Sequence, residues 1–563
     1  MNTVLYNGIR LPEEWPPRDM NPSSREPMPV PYLDSPPSVI PIDVGRQLFV
    51  DGFLIEYTTL KRVFHPAQKY EGNPILVPET AAEHEGRDGT AAATACPFDD
   101  GVAYDPVTRK FLLWYLASYP GHTAVAFSDD GLHWERPDLD ILPGTNVILP
   151  NDYPMRSRDS FCPFLDLHAQ DPTERFKAYL YMFHGKVPWE VSEIHQKSKR
   201  ISENWLLKSG DGVHWEHAAQ FTARGADGTT LHYNPFRRKW VLNLKWDYGQ
   251  EGKRRRAYIE RDQFWQFKSL REATPEEALS QVRSLDEPAP GLSEGQVFWV
   301  GADRLDLPDP EWVVQEPTQL YMLEVVPYES LMLGIFAILY GPTNDICRKG
   351  QFPKLTQIKL GYSRDGFHWY RPDREVFIGA TKKDGDWDRA YLRPAAGCII
   401  AQDRLHFYYS GFSGIAPSGA RDIYAGGSTH VAWTRRDGFV SMDAGDTPGE
   451  LITRPLTFKG DHLFVNVEAP EGLLQVEALD REGRVIEPYS MERCIPVHGD
   501  EICVPIRWRG AADLSATGGG PARLRFRLTN GSLYAFWVTP DPGGKSHGYV
   551  ASGGPGFSGP RDV

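Results

Sequence analysis

The sequence predicts an all-β protein, a five-bladed β-propeller followed by a C-terminal antiparallel β-sandwich. Three observations carry that prediction. From Ile42 onward, short apolar runs are broken by Gly, Asp and Pro turns with almost no helical periodicity. A Ser-x-Asp-Gly-x-His-Trp element recurs along the chain, and a pair of β-runs joined by a polar hairpin precedes each copy.

The repeat sets the architecture. Ser128-Asp129-Asp130-Gly131-Leu132-His133-Trp134 returns as Ser209-Gly210-Asp211-Gly212-Val213-His214-Trp215 and as Ser363-Arg364-Asp365-Gly366-Phe367-His368-Trp369. Weaker copies stand at Thr434 to Phe439 and at Arg261-Asp262-Gln263-Phe264-Trp265. Counted from aspartate to aspartate the mean spacing is about 77 residues, which suits a four-stranded blade with long loops. Asp-Gly makes a tight turn between strands and Trp packs the outer blade surface, so the element reads as structural. The paired β-runs before these turns, such as Gly101 to Tyr115, Phe161 to Tyr181, Thr230 to Leu244, Ser330 to Tyr340 and Gly397 to Tyr409, would form the inner strands.

Ten prolines fall within residues 1–41, which read as an extended arm. The propeller is expected over 42–449 and the sandwich over 450–540, where Arg523-Leu524-Arg525-Phe526-Arg527-Leu528 alternates apolar and basic side chains. A loosely held Gly/Pro-rich tail is expected over 541–563.

Composition excludes several classes. A formal charge of −14 opposes a nucleic-acid surface, and the basic run Lys253-Arg254-Arg255-Arg256 reads as a solvated strand end, with a rim contact for an anionic substrate as the alternative. The apolar run from Leu331 to Tyr340 is too short to span a bilayer, and the first residues carry no secretory pattern. Six unpaired-looking cysteines point to reduced thiols and, with the missing leader, to a cytoplasmic location. The histidines of the turns sit at blade edges, so no histidine metal site is expected, and no cofactor is assigned. A proline-rich arm could support a homo-oligomer by subunit exchange.

In a propeller all innermost strands run the same way, so the residues at their starts converge on one mouth of the channel. Read blade by blade, those residues are Asp99-Asp100, Arg158-Asp159, Asp227, Tyr328-Glu329, and Asp386, Trp387 and Asp388 with Arg393. Converging carboxylates repel and raise one another's pKa values unless cations or hydroxyls compensate. Glycoside hydrolysis needs one proton-holding carboxylic acid and one ionised carboxylate, with further polar groups gripping hydroxyls.

On these residues the chain resembles the furanosidase propeller superfamily, the invertase and levanase group together with the arabinanases and arabinofuranosidases. Ser157-Arg158-Asp159-Ser160 is similar to the invertase Arg-Asp-Pro element, with Ser160 in the place of proline, and implies that Asp159 stabilises the transition state. Pro327-Tyr328-Glu329-Ser330 is similar to the invertase Glu-Cys element, with Ser330 in the place of Cys, and implies Glu329 as general acid, although it falls in the fourth blade rather than the third. The Asn-Asp-Pro-Asn nucleophile motif is absent, which leaves Asp100 or Asp51 as nucleophile or base. The segment from Ile42 to Asp51, followed by Tyr70-Glu71-Gly72-Asn73-Pro74, is similar to bacterial proteins classed with family-32-like glycosyl hydrolases.

The expected function is therefore a glycoside hydrolase cleaving a furanoside or other small oligosaccharide. Glu329, Asp159 and Asp100 are the candidate catalytic groups, and Arg158, Asp227, Tyr328, Asp386, Trp387, Asp388, Arg393 and Asp51 the candidate binding groups. A phosphorylase on the same fold, with Arg158 and Arg393 holding phosphate, and a non-catalytic glycan-binding propeller are the alternatives.

Overall fold

The computed structural model describes residues 3–84, 92–151, 156–184, 202–221, 227–248, 253–270, 295–511 and 513–563. It is mostly β. Among the described residues no helix is long and apolar enough to cross a membrane.

Three four-stranded antiparallel sheets follow one another along the chain. One is formed by Arg156–Leu165, Phe176–His184, Ser202–Ser209 and Glu216–Phe221. The next is formed by Thr230–Asn234, Lys239–Tyr248, Lys253–Arg261 and Val297–Gly301. The last has Leu331–Gly341 between Gln319–Glu329 and Leu355–Ser363, with Tyr549–Val550 added outside Gln319–Glu329. A ten-stranded sheet joins the hairpins of 102–149 to those of 393–435. The join is made by Thr94–Cys96, which pairs antiparallel with Lys110–Ala117 and parallel with Gly427–Arg435.

The inner edges of these sheets touch in sequence. Val102–Asp105 packs on Arg156–Leu165, that strand on Thr230–Asn234, and that one on Gln319–Glu329. The circuit closes differently: Arg393–Pro394 lies against the second and third strands of the last sheet, Leu331–Gly341 and Leu355–Ser363, and Ile399–Ala401 returns to Val102–Asp105.

The recurring turn holds itself together locally. In each of the three full copies the Asp Oδ1 accepts the backbone N–H groups two and three residues on, and its Oδ2 meets the histidine Nδ1 at 2.7 Å. Each Ser Oγ accepts the glycine N–H, and glycine is required because φ is +78°, +78° and +81° at Gly131, Gly212 and Gly366. A distant ring pins each turn: Tyr408, from another hairpin of the same ten-stranded sheet, donates to the Gly131 carbonyl, and Trp114 and Trp299, each from the preceding sheet, donate to those of Gly212 and Phe367.

A nine-stranded sheet packs beside them. It combines the C-terminal strands His462–Leu479, Val497–Pro505, Arg523–Thr529 and Gly531–Thr539 with Val440–Ala444 and Gly449–Thr453. Gln47–Leu48, Ile55–Thr58 and Lys61–Phe64 complete it. The expected boundary at 449/450 thus falls within one strand of a sheet that also recruits residues 47–64. The arm lies across the same region, with Leu5, Ile9, Leu11, Val30 and Tyr32 in that sheet's apolar core.

Two expectations are corrected. The tail is not loosely held: backbone bonds run from Ala551 N to Pro327 O, Ser552 N to Cys398 O, Tyr104 N to Ser552 O and Ile400 N to Gly553 O. Its Tyr549 ring packs on His168 and Phe236, so the tail touches all the sheets that share an inner edge. The basic run is not a solvated strand end, because Arg255 and Arg256 are both buried within Lys253–Arg261.

Candidate active site

The sheets bring charged groups together at one end, where Gly101, Arg158, Thr230, Tyr321 and Arg393 lie. Asp99 is the hub. Its Oδ2 accepts the Ser160 hydroxyl and the Gly228 N–H at 3.1 Å, and its Oδ1 pairs with the Arg393 guanidinium. One carboxylate therefore links residues of three sheets. Arg393 adds the remaining one, reaching Met322 Sδ at 3.5 Å and packing its guanidinium 3.9 Å from the Phe98 ring centroid.

Asp100, fully buried beside it, takes a two-pronged contact from Arg158 at 2.5 and 2.8 Å. Burial pushes its carboxyl up to about 7, against the pull of Arg158. Asp227, next to Gly228, is the more open group at 27% side-chain exposure and is bonded by Lys245 Nζ at 2.6 Å. Burial acts to raise it too, but the Lys245 and Arg254 charges more than offset that and hold it well below the ordinary carboxylate range. Asp159 is buried, and it shares with Asp227 the electrostatic surroundings of the Tyr424 phenol, whose ring stacks on Tyr119 at 4.1 Å.

The structure thus brings together Asp100, Arg158, Asp159, Asp227 and Arg393 from the sequence-predicted set. Asp388 lies at the same end of its own sheet, bonded by Lys69 at 2.6 Å and by the Tyr409 hydroxyl at 3.2 Å. Half-buried Asp386 and Trp387, 38% exposed, sit on the loop that leads into Arg393.

Glu329, Tyr328 and Asp51 are elsewhere. Glu329 ends the strand Gln319–Glu329, eight residues beyond Tyr321, or roughly 26 Å at strand rise. There its carboxylate accepts the Arg46 N–H at 3.0 Å, the Ser546 hydroxyl at 2.7 Å and Arg436 Nη2 at 3.0 Å. Gly548 of the tail packs so closely that an added Cβ would stand 1.9 Å from Glu329 Oε2. Tyr328 donates to Asp437 at 2.6 Å at the same far end, and Asp51 is clasped by Arg364 at 2.8 and 2.9 Å. The physical reason is a shift of one strand. The inner strand is Gln319–Glu329 and not the apolar run after it, and antiparallel neighbours start at opposite ends.

Five further groups at the convergent end lie outside the candidate site residues, two of them in the basic run whose alternative reading is a rim contact for an anionic substrate. Arg256 donates to the Gly228 carbonyl at 2.6 Å, and Arg254 lies 4.7 Å from the Tyr321 ring centroid. Both belong to the basic run, which was their signal. Lys245 follows two residues after Asn243 on its strand. Glu324, fully buried, has its carboxyl raised well above the usual range by burial, with Arg256 opposing. Lys354 is enclosed by tyrosines and has no sequence signal of its own.

No protein-family model matches the chain. No curated protein matches it either. Among solved structures it is similar to an N-acetylgalactosamine deacetylase from F. plautii in complex with blood group B trisaccharide, at 14% identity, covering 67% of this chain and 96% of that one, with a TM-score of 0.40. It is similar to a GH32 β-fructofuranosidase from Bombyx mori at 11% identity, covering 79% and 92%, with a TM-score of 0.34. A β-fructofuranosidase from Schwanniomyces occidentalis complexed with fructosyl-erythritol stands at 9% identity, covering 84% and 96%, with a TM-score of 0.36.

Proposed function

We propose that the chain is a glycoside hydrolase built on a five-bladed β-propeller, with the nine-stranded sheet as its β-sandwich, and that it cleaves a furanoside or other small oligosaccharide at the convergent end. The circuit of contacts from sheet to sheet and the turns pinned by distant rings support the five-blade reading. One observation carries the functional reading: Asp99 joins Ser160, Gly228 and Arg393, and so gathers Asp100 and Asp227, distant in sequence, beside one another's supports.

Environments that drive two carboxyls apart assign their tasks. Asp100, pushed up to about 7, holds a proton near neutral pH and donates it to the leaving oxygen. Asp227 stays ionised and acts as nucleophile or as the base for water, while Asp159 and Arg158 orient hydroxyls. Trp387 offers an exposed ring face on which a sugar can stack. Glu329 has no part in the chemistry.

The test is a panel of aryl furanosides and pyranosides with the wild type, Asp100→Asn and Asp227→Asn. Each substitution is expected to lower kcat by roughly a thousandfold or more while melting stays cooperative. Turnover within tenfold of wild type in both variants would overturn the assignment.

A further inference from the structure

We infer that the convergent end holds an anion subsite centred on Lys354 that takes the carboxylate of a uronic-acid unit, making the substrate an acidic glycoside. This rests on the glycosidase reading of the same site and names its substrate class.

Lys354 immediately precedes the strand Leu355–Ser363 and is 1% exposed. Its Nζ lies 5.0, 4.7 and 5.3 Å from the ring centroids of Tyr321, Tyr391 and Tyr424. The cage belongs to the site: Tyr391 donates to the Tyr321 hydroxyl at 2.9 Å, and Arg393, which grips Asp99, donates to Tyr391 at 2.9 Å. An ammonium has three N–H donors. Among the described residues Lys354 uses one, to the Tyr321 hydroxyl at 3.2 Å, and has no carboxylate within ion-pair distance.

The largest influences on Lys354 are burial and the groups Arg254, Cys347, Asp227 and Lys245, and the one carboxylate among these, Asp227, is already bonded by Lys245. Burial and the Arg254 charge hold its ammonium well below the usual lysine range.

The chemistry favours a sugar carboxylate. One ammonium balances a monoanion, and tyrosine faces and hydroxyls suit the sugar ring that carries it. A phosphate dianion asks for more donors than a single lysine provides.

The experiment is calorimetric titration of the full chain with galacturonate, glucuronate, galactose and inorganic phosphate, in two buffers of different ionisation enthalpy. The proposal expects a uronate to bind at least tenfold more tightly than galactose and to bring a proton onto the protein. It expects Lys354→Met to weaken that binding at least tenfold and Lys354→Arg to restore part of it, both variants being checked for a cooperative melt. Should Lys354→Met not fold, proton uptake by the wild type and the binding of Lys354→Arg decide. Uronate binding no tighter than galactose, or unchanged in Lys354→Met, overturns the proposal, and phosphate binding without uronate binding replaces it with a phosphate subsite. Aryl uronides and neutral aryl glycosides separate the two claims. Turnover of the neutral ones alone overturns this inference and leaves the glycosidase reading standing. Uronate binding without turnover of any glycoside does the reverse.

Discussion

The two ends of the strand Gln319–Glu329 both bury charge, and they bury it differently. At the far end Glu329 has three donors from three separate segments: Arg46 of the entry loop, Arg436 of the last weak repeat and Ser546 of the tail. Arg46 also meets Asp437 at 2.8 Å and stacks 4.1 Å from the Trp537 ring, while Asn466 and Tyr328 close on Asp437. Positive and negative partners are matched, and the result fastens tail, sheets and sandwich together. At the far end, against burial, the arginines hold Asp437 low and the acids hold Arg436 high, whereas at the convergent end burial prevails and pushes Asp100 and Lys354 toward their neutral forms. Buried charge that its partners hold in the charged form is architecture, whereas a buried acid or amine pushed toward its neutral form marks chemistry.

The comparison can be broken most forcefully at the far end. Glu329→Gln removes the charge that two buried arginines face, and it is expected to lower unfolding free energy by about 3–5 kcal/mol in a denaturant titration. Trp369→Ala, which empties a buried site against Trp299 and Phe336, is expected to cost a similar amount, about 3–5 kcal/mol. The half-buried Trp134→Ala should cost less than half of that, so equal losses at the two turns would contradict the packing described here.

A pH series sharpens the contrast. The Asp100 carboxyl is raised in the fold from 3.8 to about 7, so between those values the folded protein binds more protons than the unfolded chain. Its contribution to stability is present at low pH and is lost as pH rises through 7, with a slope of at most about 1.4 kcal/mol per pH unit. Subtracting the stability of Asp100→Asn from that of the wild type should expose this falling slope, and a rising difference would refute it. A smaller effect than at Glu329 is expected for Ser546→Ala, about 1–3 kcal/mol, because it removes one donor to Glu329 and leaves both arginines.

What the sequence made legible was whatever depends on neighbours in the chain. The Asp-Gly-x-His-Trp turns close through bonds two and three residues long, Asp99-Asp100 and Asp227 stand a few residues before a strand, and Arg158 and Arg393 lie at the start of one. Glu329 was misplaced because Leu331–Gly341 is apolar throughout, a pattern that marks a strand covered on both faces without saying which rank it holds in its sheet. The tail was misread because backbone bonds to Pro327, Cys398, Ile400 and Tyr104 hold it, and Gly/Pro-rich composition carries no trace of those. Arg255 and Arg256 face opposite sides of one strand, toward the Ser24 carbonyl of the arm and the Gly228 carbonyl of the site, so a run that reads as solvent-facing is buried on both sides. Lys354 depends wholly on tyrosines from three distant strands and loops.

The most direct test is the dependence of kcat/KM on pH for the wild type, Glu329→Gln and Asp159→Asn on whichever aryl glycoside is turned over. With Asp100 as the acid, activity falls as pH rises through about 7, and that limb persists unchanged in Glu329→Gln and, at lower rate, in Asp159→Asn. If the limb disappears in Glu329→Gln, the acid lies at the far end, and the division between fastening and chemistry drawn here is wrong.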